Sequence, residues 1–185
     1  MPFWTKASAC RVLRAIVIAM AGAFAGCSGT ATPSLNLDLF PKTGTGAAAR
    51  LLPKNSSVTG TISFSQRGDK VNVAGVIQEL SPGRHRIFIH EVGNCSSPNA
   101  ASAGRVWAMA GQLPGKRLGD LPDLVAGTEG NANVVTSVGG ITVGDGGPAD
   151  VVGRSVVVHD SMEPDPRPEF GVANDWLACG VIERK

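Results

Sequence analysis

The chain has 185 residues, of which 43% are hydrophobic and 17% are charged, and its formal net charge is +2. Residues 1–26 hold three of the 17 basic residues and none of the 15 acidic ones, so the remainder carries a net charge of about −1. We therefore expect no basic surface of the kind that binds nucleic acid. The length suits about one domain after a short leader.

Residues 1–26 have the features of an export signal. Their basic residues are Lys6, Arg11 and Arg14. The apolar stretch 15–26 is too short to span a bilayer as a helix, and it ends in Phe24-Ala25-Gly26-Cys27, which resembles the lipobox read by the lipoprotein signal peptidase. We predict lipidation of Cys27, which would anchor the chain to a membrane without a spanning helix. The alternative is an ordinary signal peptide cleaved nearby.

The composition after Cys27 predicts a tether. Residues 27–57 are rich in Thr, Pro, Gly, Ala and Lys, which is typical of a flexible linker between a lipid and a domain. Ser28 follows the cysteine, and by resemblance to bacterial lipoproteins this residue implies release to the outer membrane. We expect a location in the bacterial cell envelope, facing the periplasm. The folded domain is predicted over residues 58–185.

Two cysteines, Cys95 and Cys179, remain within the predicted domain. An exported protein meets an oxidising compartment, which favours one disulfide between them. Free thiols or a thiolate metal site are the alternatives, although the pair lacks the close spacing that is typical of zinc ligands.

From residue 58 onward, short β-branched runs are separated by turns. The predicted strands are 58–64, 70–76, 84–91, 133–137, 151–159 and 177–183. The turns include Arg67-Gly68-Asp69 and Ser81-Pro82-Gly83, whose glycines and proline suit tight reversals. The long loops 92–123 and 160–176 show no helical period, and such loops are commonly functional. The pattern predicts an all-β domain, a Greek-key β-barrel or sandwich.

Six segments of the domain, in order and with compatible spacing, are similar to segments of copper/zinc superoxide dismutase. They are 85–91, 93–95, 102–104, 119–121, 153–159 and 177–182. The resemblance covers about residues 58–184 and implies a Greek-key barrel of about eight strands with long loops. It also supports the pairing of Cys95 with Cys179.

The resemblance implies an incomplete copper site. The family holds copper with four histidines, one of which bridges to zinc. His90 and His159 match two of these ligands. Phe88 stands at the first copper histidine of its strand, and Val106 stands at the bridging histidine. His90 and His159 are therefore candidate residual copper ligands.

The zinc side and the catalytic arginine are further departures. Asp120 is a vestigial zinc position, while Arg117 replaces a neighbouring zinc histidine. We expect an ion pair between Arg117 and Asp120, and no bound zinc. Trp176 stands where the family has the arginine that attracts superoxide. We therefore predict an indole that fills the vacated space and no local positive charge to draw the anion in.

The histidine at position 85 points away from the candidate copper ligands. Side chains on a strand alternate faces, so His85 shares its face with Ile87 and Ile89, whereas Phe88 and His90 share the opposite face. We therefore predict that His85 is a hydrogen-bonded structural residue on the inner side of the barrel.

Three interpretations of His90 and His159 follow. They are inherited imidazoles that bind no metal, a Cu(I) site assisted by Met109 or Met162, or ligands of an active dismutase. Cu(I) accepts a small number of nitrogen or sulfur ligands. We favour a non-catalytic binding or structural module in the envelope, with at most weak Cu(I) binding. The alternative is a copper-only or residual superoxide dismutase.

Overall fold

The computed structural model describes residues 46–160 and 176–185. These residues form eight strands and one short 3-10 helix, Ala101–Ala103. The strands are β1 Gly46–Pro53, β2 Thr59–Arg67, β3 Lys70–Gln78, β4 Gly83–His90, β5 Leu124–Ala126, β6 Ala132–Gly139, β7 Ser155–His159 and β8 Trp176–Arg184. Every pairing between them is antiparallel.

The strands follow the order β5-β4-β7-β8-β1-β2-β3-β6. Its two ends, β5 and β6, lie beside each other, so the sheet curls into a nearly closed barrel. The consecutive strands β3 and β4 are not neighbours in this order, so the connection between them crosses from one part of the sheet to another. The predicted all-β barrel is confirmed.

The core lies inside the barrel and follows the alternation of the strands. Ile62 and Phe64 of β2 and Val71 and Val73 of β3 are almost completely buried, while their sequence neighbours point outward. The tight β2–β3 turn contains Gly68 with φ +60°, a backbone conformation that glycine adopts easily.

The domain begins earlier than the sequence predicts. Part of the segment expected to be a tether, 27–57, is strand β1, which pairs with β8 on one side and β2 on the other. Alanine is a poor strand former, but Ala47 and Ala49 are fully buried and allow close approach to the neighbouring strands. Residues 1–45, including the predicted signal peptide and Cys27, lie outside the described residues.

Two smaller differences concern β5 and β7. The three-residue β5 was not predicted, because so short a run carries no measurable alternation. The predicted strand 151–159 pairs only from Ser155 onward. The segment before it is turned, with the Arg154 N–H donating to the Val151 carbonyl at 3.2 Å.

The predicted disulfide is present between Cys95 and Cys179. It joins the long loop after β4 to strand β8, and the two Cα atoms are 5.8 Å apart. None of the described residues belongs to a helix long and apolar enough to cross a membrane.

Candidate metal centre

Two buried histidines meet on the face of the sheet opposite to the core. His90 ends β4 and His159 ends the neighbouring strand β7. Their Nε2 atoms lie 3.4 Å apart, and their rings are nearly parallel, with centroids 5.6 Å apart. The rings of the sequence-predicted pair therefore meet across two neighbouring strands, although His90 lies opposite Ser155 and His159 opposite Arg86 in the register.

The Gly104 carbonyl assigns the tautomer of His90. It lies 2.9 Å from Nδ1 of His90 and accepts that proton. In the neutral ring this leaves Nε2 of His90 as an acceptor. The short contact between the two rings is then a hydrogen bond in which Nε2–H of His159 donates to Nε2 of His90.

Both imidazoles are neutral at physiological pH. Burial lowers the pKa of His90 to about 4, and the Arg117 charge acts in the same direction. Burial also lowers the pKa of His159 to about 3, with further contributions from His90, Arg86 and Arg117. A neutral imidazole is the form that binds metal, so protonation does not compete with a metal at pH 7.

Two aromatic residues, Phe88 and Trp176, pack against the histidine pair. Phe88 contacts His159 edge to face, with centroids 5.3 Å apart. The Trp176 ring centroid lies 5.6 Å from the centroids of both histidine rings. Trp176 is 3% exposed, and its indole N–H has no hydrogen-bond partner among the described residues. The indole therefore packs beside the pair, as the sequence predicts.

The sequence prediction that no positive charge lies near the site is wrong. The guanidinium carbons of Arg86 and Arg117 lie 5.9 and 5.3 Å from the centroid of the Phe88 ring. Both arginines disfavour a positive charge on His159. Trp176 replaces one arginine position, but these two side chains approach the pair from β4 and from the loop.

Asp120 and Arg117 form the predicted ion pair. Arg117 Nη2 lies 2.8 Å from Oδ1 of Asp120, and the backbone N–H of Arg117 donates to Oδ2 at 2.6 Å. The side chains are only 14% and 13% exposed. Both carboxylate oxygens are thus occupied by the neighbouring arginine.

The loop that carries this pair lies along the part of the β4 edge that β5 leaves unpaired. Asp120 forms a bridge with Phe88, and Val106 forms one with His90. The N–H of Ile89 donates to the Gly119 carbonyl at 2.9 Å. This pairing places the positions matched to zinc and copper ligands on adjacent backbones.

His85 is a structural residue, as predicted. It is 2% exposed on the inner face, and its Nε2 lies 2.8 Å from the Ser81 carbonyl. Asp160 Oδ1 lies 3.5 Å from the other ring nitrogen. Met109 is 42% exposed on the loop, and Met162 lies outside the described residues.

The family model described as copper/zinc superoxide dismutase matches residues 58–182. The chain belongs to the copper/zinc superoxide dismutase family.

Curated relatives in the family include two proteins that are called extracellular superoxide dismutases. The extracellular superoxide dismutase [Cu-Zn] of Brugia pahangi is 30% identical over 74% of this chain and 74% of its own length. That of Onchocerca volvulus is 32% identical over 73% and 74%. Superoxide dismutase [Cu-Zn] 2 of Brassica juncea is 30% identical over 74% of this chain and 97% of its own length.

A solved structure shows the same fold. The clock protein EA4 is 29% identical, has a TM-score of 0.62, and is matched over 76% of this chain and 95% of its own.

The residues present do not fit the family's pair of metals. The described part of the chain contains no group of three or more His, Cys, Asp or Glu side chains that could hold a metal ion. At the zinc position, both carboxylate oxygens of Asp120 already accept hydrogen bonds from Arg117. Copper would find two imidazoles, His90 and His159, instead of four.

Sequence reasoning missed the roles of Gly104 and Arg86. Gly104 was noted only as part of segment 102–104, although a carbonyl opposite a histidine is a common way to fix its tautomer. Arg86 precedes Phe88 by two residues, so strand alternation places both side chains on the same face. Its distance from the pair depends on side-chain conformation, for which the sequence carries no signal.

Proposed function

We propose that this chain is a lipid-anchored protein of the bacterial envelope whose superoxide dismutase domain does not dismutate superoxide. It serves as a binding or structural module with at most weak Cu(I) binding. The observation that carries the proposal is the direct 3.4 Å contact between the Nε2 atoms of His90 and His159 inside an aromatic wall.

Catalysis by this family requires copper to change oxidation state repeatedly. Cu(II) prefers a tetragonal set of nitrogen or oxygen ligands, and the positions that would complete such a set here carry Phe88 and Val106. Neither side chain has a donor atom. A centre limited to His90 and His159 would favour the lower oxidation state and would not cycle readily.

The geometry supports Cu(I) binding that is weak. Any metal bound by both Nε2 atoms would have to break their hydrogen bond and move the His159 proton from Nε2 to Nδ1. A linear Cu(I) site, with two metal–imidazole bonds of about 2.0 Å, also needs about 4 Å between the nitrogens instead of the observed 3.4 Å, so the rings would have to spread. Both rings are buried, and this movement meets the packing of Phe88 and Trp176. The cost of that movement reduces the affinity.

One observation favours the alternative, a copper-only or residual dismutase. Arg86 supplies positive charge beside the pair, and such charge attracts an anion. Arg117 lies equally near, but Asp120 neutralises its charge, so only Arg86 compensates in part for Trp176 at the family's arginine position. The ligand set, however, remains two imidazoles, which is why we prefer the non-catalytic function.

The lipobox-like sequence that ends in Cys27 supports the envelope location. Two of the relatives are called extracellular dismutases, which is consistent with export. The position of Ser28 after the cysteine supports the outer membrane, with the domain facing the periplasm. No nucleic-acid partner is expected from a mature chain with a net charge of about −1.

The test is a superoxide assay on the purified chain after loading with copper under reducing conditions and removal of free metal. We expect the rate of the copper-free protein, together with less than one tightly held copper per chain. H90Q/H159Q is the matched control, because it removes both imidazoles and keeps polar side chains of similar size. Copper-dependent activity that this double variant abolishes would establish the alternative.

A further inference from the structure

Arg117 binds the carboxylate of Asp120, which the family resemblance matches to a zinc ligand, and its contacts resemble those of a bound ion. Asp120 Oδ1 lies 2.8 Å from Nη2 and 3.1 Å from Nε of Arg117. Oδ2 accepts from the backbone N–H of the same arginine at 2.6 Å. The carboxylate is therefore held from the side chain and from the main chain at once.

The other side of the guanidinium meets an aromatic ring. Its central carbon lies 5.3 Å from the centroid of Phe88, within the range of a cation–π contact. Phe88 is the residue at a copper-ligand position, and its backbone forms a bridge with Asp120. The guanidinium is thus enclosed between a carboxylate of the loop and a ring of β4.

We infer that the Arg117 guanidinium is a permanent internal cation that replaces the structural metal of this fold, so that the loop around Asp120 packs on β4 without any bound ion and divalent cations are excluded there. An arginine stays charged at every physiological pH and matches a carboxylate with two donors. A metal ion can dissociate, whereas this cation is part of the chain. The inference rests on family membership and on these contacts, and it does not depend on whether the domain is catalytic.

Two electrostatic costs exclude a divalent cation from Asp120. A divalent cation at Asp120 would have to displace Arg117 from both oxygens and would then lie next to its positive charge. Breaking a buried ion pair by removing one partner leaves an uncompensated charge, which is strongly destabilising. The same free-energy cost opposes any cation that competes with Arg117 for Asp120. The packing of the loop on β4 therefore depends on the Arg117–Asp120 ion pair.

The experiment compares thermal unfolding of the full chain in the presence of a chelator and of one equivalent of zinc. We expect the same midpoint in both conditions, and no stoichiometric zinc after dialysis. This measurement needs no variant, so poor folding of a mutant cannot obscure it. A midpoint that rises by several degrees with zinc, or one tightly held zinc per chain, would overturn the inference.

The second measurement uses R117M, in which methionine replaces the aliphatic part of the arginine side chain and the charge is removed. We expect its midpoint to fall by roughly 5–15 °C, in line with the loss of a buried pair. R105M is the matched control, because Arg105 lies on the same loop with an exposed and loose contact to Glu91 at 4.0 Å. Its midpoint should change by no more than about 2 °C. Equal midpoints for the two variants would contradict the proposal.

Chemical rescue separates a cation from a side chain that merely fills space. Methylguanidinium at millimolar concentration should restore part of the lost stability of R117M and should leave R105M and the wild type unchanged. If methylguanidinium has no selective effect on a folded R117M, the arginine acts through packing and the internal-cation role is wrong.

Discussion

The Nε2 atom of His159 donates a hydrogen bond to the Nε2 atom of His90 across 3.4 Å. The Gly104 carbonyl determines this direction, because it takes the only proton of the His90 ring. The lone pair that a metal would use is therefore engaged within the protein. A neutral imidazole pair of this kind is stable without metal.

Restoring the missing copper ligands and the arginine should restore dismutation of superoxide. In F88H/V106H/W176R, two imidazoles and one guanidinium return to the positions that the family resemblance assigns to them. We expect copper-dependent superoxide removal that exceeds that of the wild type by at least tenfold, measured after equal copper loading. W176R alone is the control and should stay at the background rate, because it adds charge without a ligand. A triple variant that folds, holds copper and stays inactive would mean that further parts of the site are lost.

Substitution of Cys27 tests the membrane anchor. C27S should shift the protein from the membrane fraction to the soluble fraction or block processing, because a serine takes no thioether-linked lipid. The measurement is immunodetection after fractionation of the cells. C10S changes a cysteine within the predicted leader and should leave the distribution unaltered. An unchanged membrane fraction for C27S would argue against lipidation.

Reduction of the disulfide should weaken the domain substantially. Cys95 and Cys179 are 84 residues apart, and chain-entropy arguments give roughly 4–5 kcal/mol for closing a loop of that length. We expect the free energy of unfolding of C95S/C179S, obtained from denaturant titration, to fall by up to this amount. The reduced wild-type protein should behave like the double variant. A loss below about 1 kcal/mol would show that the unfolded chain is hardly restrained by the bond.

Gly119 should tolerate no side chain. A Cβ at this position would overlap the carbonyl oxygen of Ile89 and lie 3.1 Å from the backbone nitrogen of Trp107. G119A should therefore cost about 1–3 kcal/mol or more, because backbone on both sides must move. At Gly127 a Cβ meets nothing within 4 Å, so G127A should change the free energy of unfolding by no more than about 0.5 kcal/mol. Similar losses in the two variants would contradict the described approach of the loop to β4.

The carboxylate of Asp150 should make the domain sensitive to acid. Burial opposes its ionisation, but the N–H groups of Gly144, Val152 and Gly146, together with Arg184, outweigh that effect and lower its pKa from the ordinary 3.8. Because the folded-state pKa is the lower one, this stabilisation is complete above pH 3.8 and is lost as the pH falls further through the folded-state value.

D150N should be less stable than the wild type at pH 7 by roughly 1–3 kcal/mol, since an amide cannot satisfy all three donors. Its stability should also change less between pH 5 and pH 3. Asp145 lies in the same loop but is exposed, so D145N serves as the control and should follow the wild-type pH dependence. Parallel pH profiles for D150N and the wild type would refute the assignment.

β-Branched runs and the turns between them predicted six of the eight strands, which are β2, β3, β4, β6, β7 and β8. Strand β1 escaped detection because its alanines are selected for close packing between two neighbours. The histidine pair followed from the family resemblance. The tautomer of His90 and the approach of Arg86 and Arg117 to Phe88 depend on loop backbone and side-chain conformation, which a linear pattern does not encode.

The place of β1 in the sheet determines how the domain bears load. Although it is the first strand, β1 lies between β8 and β2 and is hydrogen-bonded on both sides. Tension that arrives through the preceding segment therefore acts on two hydrogen-bonded ladders at once and not on an edge strand. If the chain is held at a membrane by its N-terminal end, the force enters the barrel through β1, a strand with a neighbour on each side. Proteolysis that frees it would have to cut before Gly46, because any cut inside β1 removes a central strand.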